Sequence, residues 1–250
     1  MYGKILLSKE HGGTSMKNKS YIGVIIPAAG SGSRMGGVYK PLEKLCGKEM
    51  IRYSLETFEK CDDVAFVIIS AREDKIDEVK ALCETCMFNK VKSVIAGGKD
   101  RQDSVENAFC NPLFDDDSVT HVAIHDAARP LFDLKMAQKV FAQALEKGNA
   151  VCASRVRDTV KRTDEEDAVS DAVDRENLWL IQTPQVFEKN MYANALKKAK
   201  NDGFVATDDS SLVAADNKKV YLCDTPSYNI KITYPEDVFL AESVLEKRGE

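Results

Sequence analysis

The run Pro27-Ala28-Ala29-Gly30-Ser31-Gly32-Ser33-Arg34-Met35-Gly36-Gly37 holds four glycines and two serines, a backbone able to turn its N–H groups onto an anion. It is not a dinucleotide fingerprint, because counting from Gly30 the third glycine position holds Met35. Nor is it a Walker loop, since no Gly-Lys-Ser/Thr follows at the required spacing. Its cations distinguish it: Arg34, Lys40 and Lys44 stand against Glu43 in a chain of formal net charge −5. A pyrophosphate between two sugars can be held by backbone alone, whereas a triphosphate about to lose pyrophosphate develops charge that cations stabilise. The loop therefore favours a nucleoside triphosphate over NAD, although by itself it also reads as a glycine-rich turn with surface Arg and Lys. A second signal is His125-Asp126-Ala127-Ala128-Arg129-Pro130. An Asp at the carboxyl end of a parallel strand points into the crevice and could hold Mg²⁺ bridging ligand phosphates, or it could cap the helix near Leu134. His121 and His125 fall on one side of a strand with no third ligand and read as packing or surface histidines. A third signal, Gly97-Gly98-Lys99-Asp100-Arg101-Gln102-Asp103-Ser104, opens a helix whose N-terminus suits an anion or a base, or is a plain cap.

These residues need a scaffold, and the apolar pattern supplies one. Short β-branched runs at residues 21–27, 64–70, 92–96, 120–125 and 150–156 alternate with amphipathic stretches at 49–60, 74–86, 102–109 and 134–147. Strands that read as continuous Val/Ile runs belong to a parallel sheet covered on both faces, so the fold class is α/β: a doubly wound, mostly parallel, Rossmann-like sheet. Its ligand crevice lies beyond the carboxyl ends of the strands, where all three signals fall. Residues 158–179 break the alternation with a run of charge and read as a solvated loop or a projecting β-arm. A helix at 189–200, strands at 219–223 and 229–233, and a closing helix from Pro235 complete a single domain over residues 21–250. Residues 1–20 read as a disordered leader.

Composition narrows the partners. With 35 Lys+Arg against 40 Asp+Glu the surface is a poor partner for nucleic acid or anionic lipid, and no run of ~18 apolar residues offers a membrane span. Seven scattered cysteines and no secretory signal fit a reducing, cytoplasmic compartment. Cys83-Glu84-Thr85-Cys86 has zinc spacing, but no second pair follows, so it reads as two helix-borne thiols.

Taken in order, Pro27 to Gly36, Gly97-Gly98-x-x-Arg101-x-x-Ser104-Val105, His125 to Pro130, Val156-Arg157-Asp158-Thr159, Val173-Asp174-Arg175-x-x-Leu178-Trp179, Thr183-Pro184-Gln185, Thr207-Asp208-Asp209 and Asn229-Ile230-Lys231-Ile232-Thr233 resemble the motifs of the 2-C-methyl-D-erythritol 4-phosphate cytidylyltransferases. The resemblance implies a homodimer joined through the β-arm and the union of CTP with a polyol phosphate, releasing pyrophosphate. It implies that Arg34 and Lys40 neutralise the triphosphate and the α-phosphorus, and that Pro27, Ala28, Ala29, Gly30, Gly98, Arg101, Ser104, Asp126 and Ala127 bind CTP. Asp126 would ligate Mg²⁺ or another divalent cation. Asp126, Arg129, Thr159, Arg175 and Lys231 would hold the polyol phosphate, with Arg175 and Lys231 also acting in catalysis and Thr159 and Arg175 reaching the partner's site. Two places depart from the family pattern. The loop before Lys40, here ending Val38-Tyr39, is a residue shorter than is common, which leaves Lys44 in reserve. Tyr228 stands where the family often has a metal-holding Asp, which leaves metal ligation to Asp126, phosphate oxygens and water. Ribitol 5-phosphate cytidylyltransferases share these motifs, and a CTP-sensing module without turnover is the reading from another class.

Overall fold

The computed structural model describes residues 21–30 and 37–249; the expected leader and Arg34 lie outside them. Period-two side-chain alternation divides the core between the faces of one sheet. In β1 (Tyr21–Ala28), Ile22, Val24 and Ile26 face one layer while Ile25 faces the other. The hairpin β2 (Lys44–Leu45) and β3 (Lys48–Glu49) leads into α1 (Met50–Glu59), and β4 (Val64–Ala71), α2 (Ile76–Thr85) and β5 (Val91–Ala96) follow. Next come α3 (Arg101–Phe109), β6 (Val119–Ile124), α4 (Leu134–Lys147) and β7 (Asn149–Arg155). Helices α1, α2 and α4 cover the Ile22 face through Leu55, Phe58, Val79, Val140 and Phe141. Helix α3 covers the Ile25 face through Val105 and Ala108, beside α5 (Lys189–Asp202) and α6 (Asp209–Ala215).

A hairpin of β8 (Val160–Thr163) and β9 (Val169–Val173) projects as a two-stranded sheet of its own, so residues 158–179 hold a β-arm. From it the chain returns as β10 (Trp179–Glu188), and β11 (Leu222–Asp224) and α7 (Pro235–Arg248) close the fold. The seven-stranded order is β11-β7-β10-β6-β1-β4-β5, parallel except for β10, which runs antiparallel to both its neighbours. The chain moves from β1 outward to β4 and β5 and returns to β6 on the other side of β1, so the switch point of the doubly wound sheet lies between β1 and β6.

Strand β10 does not follow from the pattern, because Gln182, Thr183 and Pro184 sit at its middle and proline cannot donate to a ladder. The structure accommodates them with a break in pairing to β7 between Ile181 and Gln185. Residues 229–233, expected as a strand, join no sheet. They cross the strand ends instead, held where Ile232 N–H donates to Ala128 O at 2.8 Å and Asn229 Nδ2 donates to Thr183 O at 3.1 Å. The expected strand at 219–223 is shorter and later, beginning at Leu222. Among the described residues no helix is long and apolar enough to cross a membrane.

Candidate active site

Three loops converge where β1 and β6 end. The first follows β1: Pro27, Ala28, Ala29 and Gly30 line one wall of a cleft of about 450 Å³, and Lys40 and Pro41 stand in the same cleft. Lys40 opens a short 3-10 turn anchored by buried Pro41, and its Nζ donates to Ile232 O at 3.2 Å. Lys44, exposed on β2, lines neither this cleft nor its neighbour.

The second loop precedes α3. A Cβ on Gly97 would lie 2.3 Å from Ala29 Cβ, and one on Gly98 would lie 2.3 Å from Asp103 Cβ. Only glycine lets the start of α3 approach the β1 loop this closely. Asp100 caps the helix by accepting from Asp103 N–H at 2.9 Å. Ser104 lines the cleft, with its hydroxyl donated to Asp100 O at 2.7 Å and receiving Gly98 N–H at 2.9 Å, so it shapes the loop that faces the ligand space.

The third loop follows β6 and carries Asp126, which borders both this cleft and a second lobe of about 370 Å³. Three cations surround its carboxylate: Lys231 Nζ at 3.0 Å, Arg101 Nε at 3.2 Å and Arg129 Nε at 3.6 Å. Burial pushes the carboxyl pKa up, but Arg101, Lys231 and Arg129 overcome it and hold the group far below the ordinary carboxylate range. Arg101 is shared with buried Asp209 at 2.7 Å, and Asp209 accepts the Tyr192 hydroxyl at 2.7 Å. Arg129 donates to Asn229 O at 2.8 Å. Lys40, Arg101, Arg129 and Lys231 thus concentrate positive charge at one point of a net-negative chain.

Such a site can bind a polyphosphate along the first lobe and a second phosphorylated molecule in the other, with Asp126 and Lys231 at their junction. A hard divalent cation at this junction would be held by ligand phosphates and the Asp126 carboxylate, which borders both lobes. Tyr228 borders neither lobe; its ring packs 5.2 Å from the Arg248 guanidinium.

Of the residues expected from sequence, the described part of the β1 loop, Lys40, Gly98, Arg101, Ser104, Asp126, Ala127, Arg129 and Lys231 meet here. Thr159 and Arg175 do not: both are exposed on or beside the arm, where Arg175 donates to Arg157 O. Sequence reasoning gave no role to Thr183 or Asp209. Thr183 lines the second lobe because antiparallel β10 carries it past the end of β6, where its Oγ1 receives Asp126 N–H at 3.0 Å. The only sequence signals for the two were the motifs Thr183-Pro184-Gln185 and Thr207-Asp208-Asp209.

His125, expected as a packing or surface histidine, is completely buried between Phe58 and Phe132, and burial pushes its imidazole pKa down to about 3.

Residues 22–247 match the family IspD: 2-C-methyl-D-erythritol 4-phosphate cytidylyltransferase. A relative of that name from Bacillus cytotoxicus is 39% identical over 223 residues, covering 89% of this chain and 96% of its own. One from Clostridium botulinum is 36% identical over 225 residues, covering 90% and 97%. The crystal structure of 4-diphosphocytidyl-2C-methyl-D-erythritol synthase from Anaerococcus prevotii superposes with a TM-score of 0.78 at 26% identity, over 91% of this chain and 99% of that one. The 2-C-methyl-D-erythritol 4-phosphate cytidylyltransferase of Thermus thermophilus does so with a TM-score of 0.72 at 28% identity, over 90% and 99%.

Proposed function

The chain belongs to the 2-C-methyl-D-erythritol 4-phosphate cytidylyltransferase family, and on that premise we propose that its two-lobed cleft joins CTP to 2-C-methyl-D-erythritol 4-phosphate. The products are 4-diphosphocytidyl-2-C-methyl-D-erythritol and pyrophosphate. The observation that carries this reading is the junction of the two lobes at Asp126, Arg101 and Lys231, which sets a second phosphate beside a bound triphosphate.

A phosphate monoester with second pKa of about 6 is mostly a dianion at neutral pH, so the nucleophile needs no general base. One of its oxygens attacks the α-phosphorus in line, a new P–O–P bridge forms, and the bond to the bridging oxygen of the β-phosphate breaks with that electron pair leaving on pyrophosphate. The chain's contribution is position and charge. Gly30 and its neighbours turn N–H groups onto the triphosphate, Arg34 and Lys40 neutralise it, and Lys231 and Arg129 hold the acceptor. Gly98 and Ser104 line the side of the cleft beside the start of α3 and seat the cytosine there. Asp126 would hold Mg²⁺ or another divalent ion, which would supply further charge neutralisation to the ligand phosphates.

The assay that tests this reading supplies CTP, Mg²⁺ and one acceptor at a time. Pyrophosphate should appear with methylerythritol phosphate; release with ribitol 5-phosphate alone would overturn the acceptor assignment. The matching family and the relatives named above specify methylerythritol, so ribitol phosphate is not favoured.

Thr159 and Arg175 complete a neighbouring subunit's site in a homodimer built through the arm. Their exposure on the arm, away from the cleft of their own chain, supports this. Lys40→Ala and Arg175→Ala proteins, each strongly impaired, should regain activity when mixed and re-equilibrated, since about a quarter of sites then combine both intact side chains. No recovery would mean that each site is built from one chain. All seven cysteines are free, which supports a reducing, cytoplasmic setting.

A further inference from the structure

A chain of hydrogen bonds runs from the second lobe into the core, and the chemistry of its two ends decides its direction. At the cleft, the Asp126 peptide N–H donates to Thr183 Oγ1 at 3.0 Å. At the far end, the Ser54 hydroxyl donates to the Arg129 carbonyl oxygen at 3.3 Å. His125 lies between them, with Nε2 3.0 Å from Ser54 Oγ and Nδ1 3.3 Å from Thr183 Oγ1.

A hydroxyl has one proton and a carbonyl can only accept. With its proton on the Arg129 carbonyl, Ser54 must receive an N–H from the ring, which places the imidazole proton on Nε2. Nδ1 of a neutral ring is then bare, and the single proton of Thr183 goes to it. The ring is packed edge-on against Phe58, with centroids 5.4 Å apart, and tilted against Phe132 at 4.8 Å, which restricts its rotation.

The consequence appears in the cleft. Thr183 has received one N–H and given its own proton away, so it offers the second lobe only a lone pair. A hydroxyl so committed cannot donate to a phosphate oxygen, but it can accept from an alcohol. We infer that His125 is a positioning residue that makes Thr183 a hydrogen-bond acceptor for a hydroxyl of the polyol, and so helps the site choose its acceptor alcohol. This rests on assigning the second lobe to the polyol phosphate. The phosphate is left to Lys231 and the arginines.

The test uses the full chain. Nitrogen NMR of ¹⁵N-histidine-labelled wild-type protein, with the His125 signal identified by its loss in His125→Gln, should show a protonated Nε2 and a bare Nδ1. A proton on Nδ1 would reverse the chain, free the Thr183 proton for phosphate and overturn the inference, whether or not any variant folds. Kinetics supply the second reading. His125→Leu and Thr183→Val should each raise the KM for methylerythritol phosphate about tenfold, with the KM for CTP within about twofold of wild type. The double variant should be no worse than either single one, because both remove the same bond to the alcohol. His125→Asn, whose Oδ1 can accept from Thr183 near the place of Nδ1, should restore most of the loss. Additive losses of about a hundredfold, or an equal rise in the KM for CTP, would overturn the inference. Failure of the function reading shows separately, as wild-type protein that releases no pyrophosphate with methylerythritol phosphate.

Discussion

Asp126→Asn should lower turnover on the order of 10³-fold and lower the melting temperature by roughly 6–12 °C. The carboxylate is the common counter-ion of Lys231, Arg101 and Arg129, and it is almost fully buried. Removing it leaves the Arg129 guanidinium, whose side chain is only 10% exposed, without its one carboxylate partner among the described residues. Unpaired buried charge of this kind costs about 3–5 kcal/mol. The lower end applies because Arg101 keeps Asp209 and the Lys231 side chain is 39% exposed. Turnover falls further than stability because the same change scatters the cations that orient both phosphates and removes the carboxylate that would hold a divalent ion.

The pH dependence follows from the direction of the shift. A carboxyl whose pKa is depressed on folding adds stability above its unfolded value of about 3.9, and that stability is lost as pH falls toward the folded value. In metal-free buffer, the gap in melting temperature between wild type and Asp126→Asn should therefore hold steady near neutral pH and narrow below about pH 4. A gap that widened in acid would mean that Asp126 is held by something other than its cations.

The parts of the fold legible in the sequence are those set by local periodicity. Strands β1 and β4 are nearly continuous apolar runs because both faces of the sheet are covered, and α4 begins and ends where the spacing of its apolar residues says it should. Strand β10 was illegible because its polar centre is satisfied by residues distant in sequence. Gln182 Oε1 accepts from Thr225 and Asn229, and Gln185 donates to Asp208. Helix α6 was hidden for a similar reason. Asp208-Asp209-Ser210-Ser211 shows no apolar periodicity, yet Asp208 caps the helix and Asp209 is buried on Arg101 and Tyr192. Lys231 was reached only through the family resemblance, while Lys40 could be read as a cation beside a glycine loop and Asp126 as a carboxylate at the end of a parallel strand. Thr183 and His125 could not, because their roles depend on which way a strand runs and where a single proton sits.

Replacing Lys40 by alanine and measuring turnover beside CTP affinity tests the account most directly. Lys40 stands in the same lobe as the β1 loop and Asp126, where a triphosphate would lie, and charge on the leaving diphosphate grows as the bond breaks. A cation acting on that growing charge matters more to the transition state than to the ground state. Lys40→Ala should therefore lose about 10²- to 10³-fold in kcat, some 3–4 kcal/mol, while the dissociation constant for CTP rises less than about tenfold. Unchanged turnover, or a loss confined to CTP affinity with kcat intact, would contradict a glycine loop and its cations as the grip on departing pyrophosphate.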